Sequence, residues 1–407
     1  SRYQALSENQ AGFQFRPSQL AFAGCVTESI NENAILCLEA GTGTGKTLGY
    51  LIPVLDFLAK NPEARVAIST YTKNLQEQVF QREVRFAREH FKLYRNIPTS
   101  VLKGKSSYLC TRKLDYLIDE HVTGIQRLAW LYLVNLCYHF EKADVDSTGD
   151  LLLHYLNGDG FLSHALRSAS AREGCSPTHH NCPAQVVTAR ARDSRLVITN
   201  HHKLALLDRD PVLGGLFRNY LIDEANHFEH AVRNAYREEI ASRDVLFSIS
   251  YLEKFGERLS QKASGENLRL LEDLKTVVSK VYSDFNKLHS ILASLSPPHG
   301  GGEERALPSQ HSRFEYGHIV NHFKKIRAST VRIQDLLKEF LDEDRRRVMK
   351  IAPRTVGRMN NETQFLATFI ESLSLFESAF DVPNRVQTFR VFRKNFILAS
   401  VAVEAGE

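Results

Sequence analysis

Apolar residues fall at Leu48, Leu51, Ile52, Leu55 and Leu58, in the three- and four-residue steps that place side chains on one face of a helix. A short apolar run, Ile35 to Leu38, precedes them across Glu39-Ala40-Gly41-Thr42-Gly43-Thr44-Gly45-Lys46-Thr47. The pattern predicts strand, tight loop, helix. Three further runs read as buried strands: Val66 to Thr70, Leu196 to Thr199, and Tyr220 to Ile222. Each ends in polar groups, namely Tyr71-Thr72-Lys73 and on to Gln78, Asn200-His201-His202, and Asp223-Glu224-Ala225-Asn226. Such runs suit a parallel sheet that presents its chemistry along one edge. A longer helical period runs through Leu268, Leu271, Leu274, Val278, Val281, Phe285, Leu288, Leu292 and Leu295, and breaks at Pro297-Pro298-His299-Gly300-Gly301-Gly302, which reads as an exposed hairpin tip. Helices are expected near 314–346 and 361–380, and a last strand at Phe396 to Val403. Residues 104–190, and those from Glu224 to near 390, are too long for loops of a compact domain and read as insertions.

The glycine-rich stretch carries the clearest chemistry. Gly41, Gly43 and Gly45 let the backbone curl so that its N–H groups face a polyphosphate, and the following helix N-terminus adds partial positive charge. In such a loop, Gly41, Thr42, Gly43, Thr44 and Gly45 cradle phosphate, Lys46 reaches the β- and γ-phosphates and Thr47 holds Mg²⁺. Ala40 stands where the usual pattern has its first glycine. Upstream, Arg16-Pro17-Ser18-Gln19 reads as a helix start, and the Gln19 amide, with both a donor and an acceptor, suits adenine. At the other strand end, Asp223 is placed to coordinate Mg²⁺ and Glu224 to orient and deprotonate an attacking water. The hydroxyls and amides after Thr70 suit a phosphate backbone, or simply cap a helix.

Composition narrows the setting. With 43% hydrophobic and 24% charged residues the chain is globular rather than disordered. A net charge of +5 permits a polyanionic partner without requiring one. No apolar stretch reaches the length of a bilayer span and no signal pattern is present, so no membrane partner is expected and the expected location is cytoplasmic, a bacterial cytosol or nucleoid. Six cysteines are too few for a disulfide scaffold, which leaves metal or redox chemistry for clustered ones. Arg345, Arg346, Arg347, Lys350 and Arg354 form a basic run of the kind that is most often a solvated face.

With the glutamine turn, the phosphate loop, the Thr-rich strand end, the Thr-Asn-His strand end and the Asp-Glu-Ala box in this order, the chain resembles the XPD/DinG family of superfamily 2 DNA helicases. The resemblance implies an α/β fold: a RecA-like parallel-sheet motor domain at 1–104 and 191–230 with a closing strand near 394–407, interrupted by a mostly helical, cysteine-bearing insertion at 105–190 and a helical Arch domain at 231–393. It further implies ATP and Mg²⁺ as cofactors, 5′→3′ movement on single-stranded DNA, and DNA contacts at Thr70, Lys73, Asn200, Lys103, Lys105, Tyr108 and Arg112.

Three departures from the family pattern stand out. Asn226 replaces the usual His of the fourth box position. The family's [4Fe-4S] cluster takes four Cys ligands, whereas Cys110, Cys175 and Cys182 match here and Cys137, His179 or His180 would have to complete the set; a lost cluster explains the count equally well. Cys137 lies in the apolar pattern Trp130 to Leu136, where a core role is expected. Lastly, Phe396 to Val403 resembles a degenerate motif III strand, and the second motor domain with its arginines is expected to be absent, which makes the fragment alone inactive. The degraded cluster and altered box also resemble the CRISPR-associated DinG helicases of type IV systems, which implies a nucleoprotein partner such as a CRISPR effector. The alternative is a DNA-binding or partner-recruiting module with a relic nucleotide site; a transporter or kinase leaves both insertions unexplained.

Overall fold

The computed structural model describes residues 2–9, 16–115, 117, 124–139, 144–145, 155–156, 161–170, 179, 182–261, 263–296, 302–308, 313–378 and 385–403. Cys175, His180 and the expected hairpin tip at 297–301 lie outside the described residues. The chain divides into two compact units, Ser1–Tyr108 with Ala171–Ala235, and Leu109–Ser170 with Tyr236–Glu407. The stretch expected to form one insertion, 105–190, is thus shared between them.

The first unit is built on a four-stranded parallel sheet of order β2-β3-β1-β4, with β1 Val66–Thr70, β2 Thr99–Leu102, β3 Leu196–Asn200 and β4 Asn219–Ile222. Every residue of β1 is buried, as a central strand with both faces covered requires. Its register pairs Thr70 with Asn200 and Ser69 with both Thr199 and Ile222, so the polar residues that follow β1, β3 and β4 arrive side by side at one edge. Gln76 reinforces that edge from within, its buried amide donating to Leu102 O and Ile198 O at 2.9 Å each. The helix Lys46–Lys60 lies on the sheet through Leu51, Val54, Leu55 and Leu58, and the helix Pro17–Glu32, with proline at its first turn, packs against it through Phe22, Val26 and Ile30.

The run before the phosphate loop differs from its expectation. Ile35 to Leu38 forms no strand, and Ile35 is 106% exposed. Apolar composition alone does not make a strand; a neighbour must take its backbone N–H and C=O groups, and among the described residues none pairs with this run. The outer edge of β4 is likewise open, with Tyr220 exposed.

The second unit is mainly helical. Helices Ser242–Ser260, Gly265–Ser294, Arg313–Phe340 and Pro353–Ser378 bury one core, and the periodic seam Leu271, Leu274, Val278, Val281, Phe285, Leu288 and Leu292 lies within it. Arg358, buried, stacks on Tyr251 with its guanidinium 3.5 Å from the ring centroid, while Ser248 Oγ donates to the buried Glu362 at 2.5 Å. An antiparallel sheet of order β5-β8-β7-β6 covers part of this core, with β5 Glu238–Ala241, β6 Arg305–Ala306, β7 Arg385–Val391 and β8 Phe396–Ala402. Here the structure corrects the sequence reading: the strand expected to close the motor sheet is the second arm of a hairpin with β7, joined by a turn in which Phe392 N–H donates to Asn395 O at 2.7 Å. The alternation of Phe389 and Val391 with Arg390, and of Phe396 and Leu398 with Ile397, is the mark of a sheet with one face on a core, unlike the continuous burial of β1.

Candidate functional site

The phosphate loop owes its shape to two glycines in the left-handed region, Gly43 at φ 77° and Gly45 at φ 78°. Gly45 is the N-cap of the helix Lys46–Lys60 and makes no side-chain cap, so the first N–H groups of that helix remain as donors for an anion. Two side chains from the start of the preceding helix hold the loop from behind. The Arg16 guanidinium donates to Gly43 O, and Gln19 Nε2 donates to Gly45 O at 2.8 Å. Gln19, expected to meet adenine, therefore places its donor on the loop backbone. Thr44 Oγ1 donates to Gly41 O at 2.9 Å, and Lys46 Nζ folds back to Ala40 O at 3.1 Å. A Cβ added to Gly41 or Gly43 would meet nothing within 4 Å, so the front of the loop is open. Exposed N–H donors, a lysine and an open front fit a polyphosphate.

Asp223 follows β4, its N–H donating to Ser69 O at 2.9 Å and prolonging the ladder by one residue. Glu224 then turns sharply with φ 55° and ψ 47°, a left-handed conformation that costs a non-glycine residue on the order of 1–3 kcal/mol and that recurs where backbone must be bent to aim a side chain. Asp223 is tied to the phosphate-loop helix by Tyr50, whose hydroxyl donates to Asp223 Oδ2 at 3.0 Å. Burial, aided by the Asp223 charge, pushes the Tyr50 phenol well above its ordinary range, so it stays protonated.

Behind the acids, the buried His201 ring shares a 2.7 Å hydrogen bond between Nδ1 and Ser69 Oγ. Burial lowers its pKa, against the opposing pull of Asp223 and Glu224. His201 meets Phe228 edge-on at 5.4 Å, and the exposed Tyr71 stacks on His227 with centroids 4.0 Å apart. Sequence reasoning missed Tyr50, Ser69 and the Tyr71–His227 stack. For Tyr50 the available signal was its position three residues after Thr47, on the same helical face.

The expected nucleic-acid residues divide. Lys73 is exposed, its ammonium 3.5 Å from Ser107 Oγ, and Asn200 caps the next helix by accepting from Lys203 N–H at 2.8 Å. Thr70 is buried and donates to Thr72 O at 3.2 Å. Lys105 is half-buried. Lys103 and Tyr108 overturn their expectation: they are 5% and 2% exposed, Lys103 Nζ is paired with Glu77 Oε1 at 3.1 Å, and Lys103 N–H donates to the Tyr108 hydroxyl at 3.3 Å, so neither presents a surface on which DNA could stack or pair. Arg112 is exposed on the short helix Thr111–Asp115 of the second unit.

Of the expected cluster ligands, Cys110 is buried at the start of that short helix, its N–H donating to Ala169 O at 2.7 Å. Cys182 is buried at the N-cap of the helix Pro183–Asp193, where its N–H donates to His179 O at 3.2 Å. Cys137 packs into the apolar core of its helix, where burial pushes its thiol up to about 12; the thiolate a ligand needs is disfavoured there.

A DEAD/DEAH box helicase family model matches residues 21–131. The chain is similar to the ATP-dependent DNA helicase YoaA of Haemophilus influenzae, 30% identical over 249 residues that make up 59% of this chain and 37% of that protein. YoaA of Escherichia coli is 29% identical over 285 residues, 64% of this chain and 43% of that protein. A protein named 3'-5' exonuclease DinG in Bacillus subtilis is 32% identical over 240 residues, 56% of this chain and 24% of that protein. The chain thus spans less than half the length of each of these relatives. No helix of the described residues is long and apolar enough to cross a membrane.

Proposed function

We propose that this chain, which is similar to DEAD/DEAH box helicases and to YoaA and DinG, belongs to the XPD/DinG family of helicases and carries the ATP site of an ATP-dependent DNA helicase that moves 5′→3′ on single-stranded DNA. The observation that carries the reading is the joining of the phosphate loop to the acidic strand end, through Tyr50 from the helix of Lys46 and Thr47 to Asp223. Two elements far apart in sequence are thereby held together, which supports reading them as one nucleotide site.

In this reading the loop N–H groups and Lys46 take the β- and γ-phosphates, balancing the charge that develops as the terminal phosphoryl leaves. Thr47 and Asp223 would hold Mg²⁺, which supplies charge neutralisation along the phosphates. Glu224, aimed by its left-handed backbone, accepts the proton of the attacking water. Arg16 and Gln19 keep the loop in shape from behind. The DNA strand runs over the sheet edge, where Tyr71 and His227 offer an exposed aromatic stack and Lys73 a cation. Thr70 and Asn200 shape that edge.

Among the described cysteines of this stretch, Cys137 belongs to a core, which leaves Cys110 and Cys182, fewer thiols than a four-thiolate iron–sulfur cluster takes. No step is assigned to such a group. Asn226 and this reduced donor set favour a nucleoprotein complex, such as a CRISPR effector, as partner.

The test is strand displacement by the full-length protein on duplexes with either a 5′ or a 3′ single-stranded tail. The reading requires ATP-dependent unwinding from the 5′-tailed substrate and its loss in Lys46→Ala. Tight binding of single-stranded DNA with no unwinding of either substrate would instead mark a DNA-binding module with a relic nucleotide site.

A further inference from the structure

We propose that Tyr50 is a positioning residue of the metal site, one buried phenol fixing Asp223, the carboxylate that with Thr47 would take Mg²⁺. The inference rests on the nucleotide-site reading and deepens it. A phenol has one proton to give. Tyr50 gives it to Asp223 Oδ2 at 3.0 Å. With Asp223 Oδ2 satisfied, Oδ1 is the carboxylate oxygen left for a cation.

Location makes the arrangement rigid. Tyr50 is 2% exposed on the helix that begins with Lys46 and Thr47, so water competes little for its hydrogen bond to Asp223. Asp223 is anchored at its other end by its backbone bond to Ser69 O. Its side chain is therefore held from a different element than its backbone, the outer-shell support that metal sites use to orient their ligands. Phenylalanine would fill the same space without that bond.

The experiment is Mg²⁺-dependent binding of a fluorescent ADP analogue to the wild type, Tyr50→Phe and Lys46→Ala. We expect Tyr50→Phe to bind ADP without metal as the wild type does, and to need roughly tenfold more Mg²⁺ for the tighter, metal-dependent binding, the low end of what loss of an outer-shell partner costs. An unchanged or lower Mg²⁺ requirement in Tyr50→Phe, with ADP binding intact, overturns the role of Tyr50 and leaves the nucleotide site standing. No ADP binding by the wild type, or full binding by Lys46→Ala, overturns the site reading and this inference with it. Should Tyr50→Phe fail to fold, site-specific 3-fluorotyrosine at position 50 gives the second readout. Its ¹⁹F resonance is expected to move when Mg²⁺ is added to the ADP complex, and a resonance that does not respond overturns the proposal.

Discussion

Gln19 Nε2 donates to Gly45 O at 2.8 Å, and a Cβ on Gly45 would stand 2.3 Å from that same nitrogen. The glutamine and the glycine are fitted to each other. Gly45→Ala adds two penalties, the contact with Gln19 and a left-handed backbone at φ 78°, the second worth roughly 1–2 kcal/mol. We expect more than tenfold weaker ADP binding by titration calorimetry. Adding Gln19→Ala should recover the part due to the contact and leave the part due to the backbone, a non-additive pair in a double-mutant cycle.

In the proposed site Asp223 and Glu224 are adjacent but take different roles. Glu224→Gln keeps the shape of the side chain while removing its basicity, so ATP turnover is expected to fall by about 10²–10⁴ with ADP affinity essentially unchanged. Single-turnover hydrolysis beside equilibrium binding separates the two effects.

His201 links stability to pH. Its folded pKa lies below the unfolded value because burial disfavours the imidazolium, and an unfolded histidine titrates near about 6.5. The unfolded state therefore binds more protons as pH falls, so the contribution of His201 is fully present above about 6.5 and is lost as pH drops toward its folded pKa. Urea midpoints at about pH 7.5 and about pH 5.5 should differ more in the wild type than in His201→Asn.

Lys203 Nζ and Asp210 Oδ2 form a buried ion pair at 2.8 Å, between the helix His201–Ala205 and the loop after it. Burial would raise the Asp210 pKa, but the Lys203 hydrogen bond and charge outweigh it and the net shift is downward. Stability from this carboxylate is present above its unfolded value of about 3.9 and is lost as pH falls through the folded one. Lys203→Met leaves a buried charge alone, and urea unfolding at neutral pH should show a loss of about 3–5 kcal/mol.

The residues proposed to bind phosphate and metal stand out in the sequence because their types are dictated by local chemistry. A loop that must curl around a polyphosphate needs Gly43 and Gly45 wherever it occurs, and strands buried on both faces, such as Val66 to Thr70, announce themselves as continuous apolar runs. What was not legible depends on partners. Ile35 to Leu38 has strand composition and no strand neighbour. Phe396 to Ala402 carries an apolar run that hides its alternation until its pairing with Arg385 to Val391 is seen. Tyr50 sits in an apolar helical stripe, where a phenol reads as core until Asp223 is found 3.0 Å from its hydroxyl. Lys103 and Tyr108 looked like a cationic and aromatic surface, and a neighbour at Glu77 drew the lysine inside.

The central claim is that this nucleotide site drives a motor on DNA. The measurement that tests it most directly is ATP hydrolysis by the full-length protein with and without single-stranded DNA, in wild type and Glu224→Gln. The account requires hydrolysis that single-stranded DNA stimulates and that Glu224→Gln removes. Hydrolysis indifferent to DNA, or surviving Glu224→Gln, would contradict it.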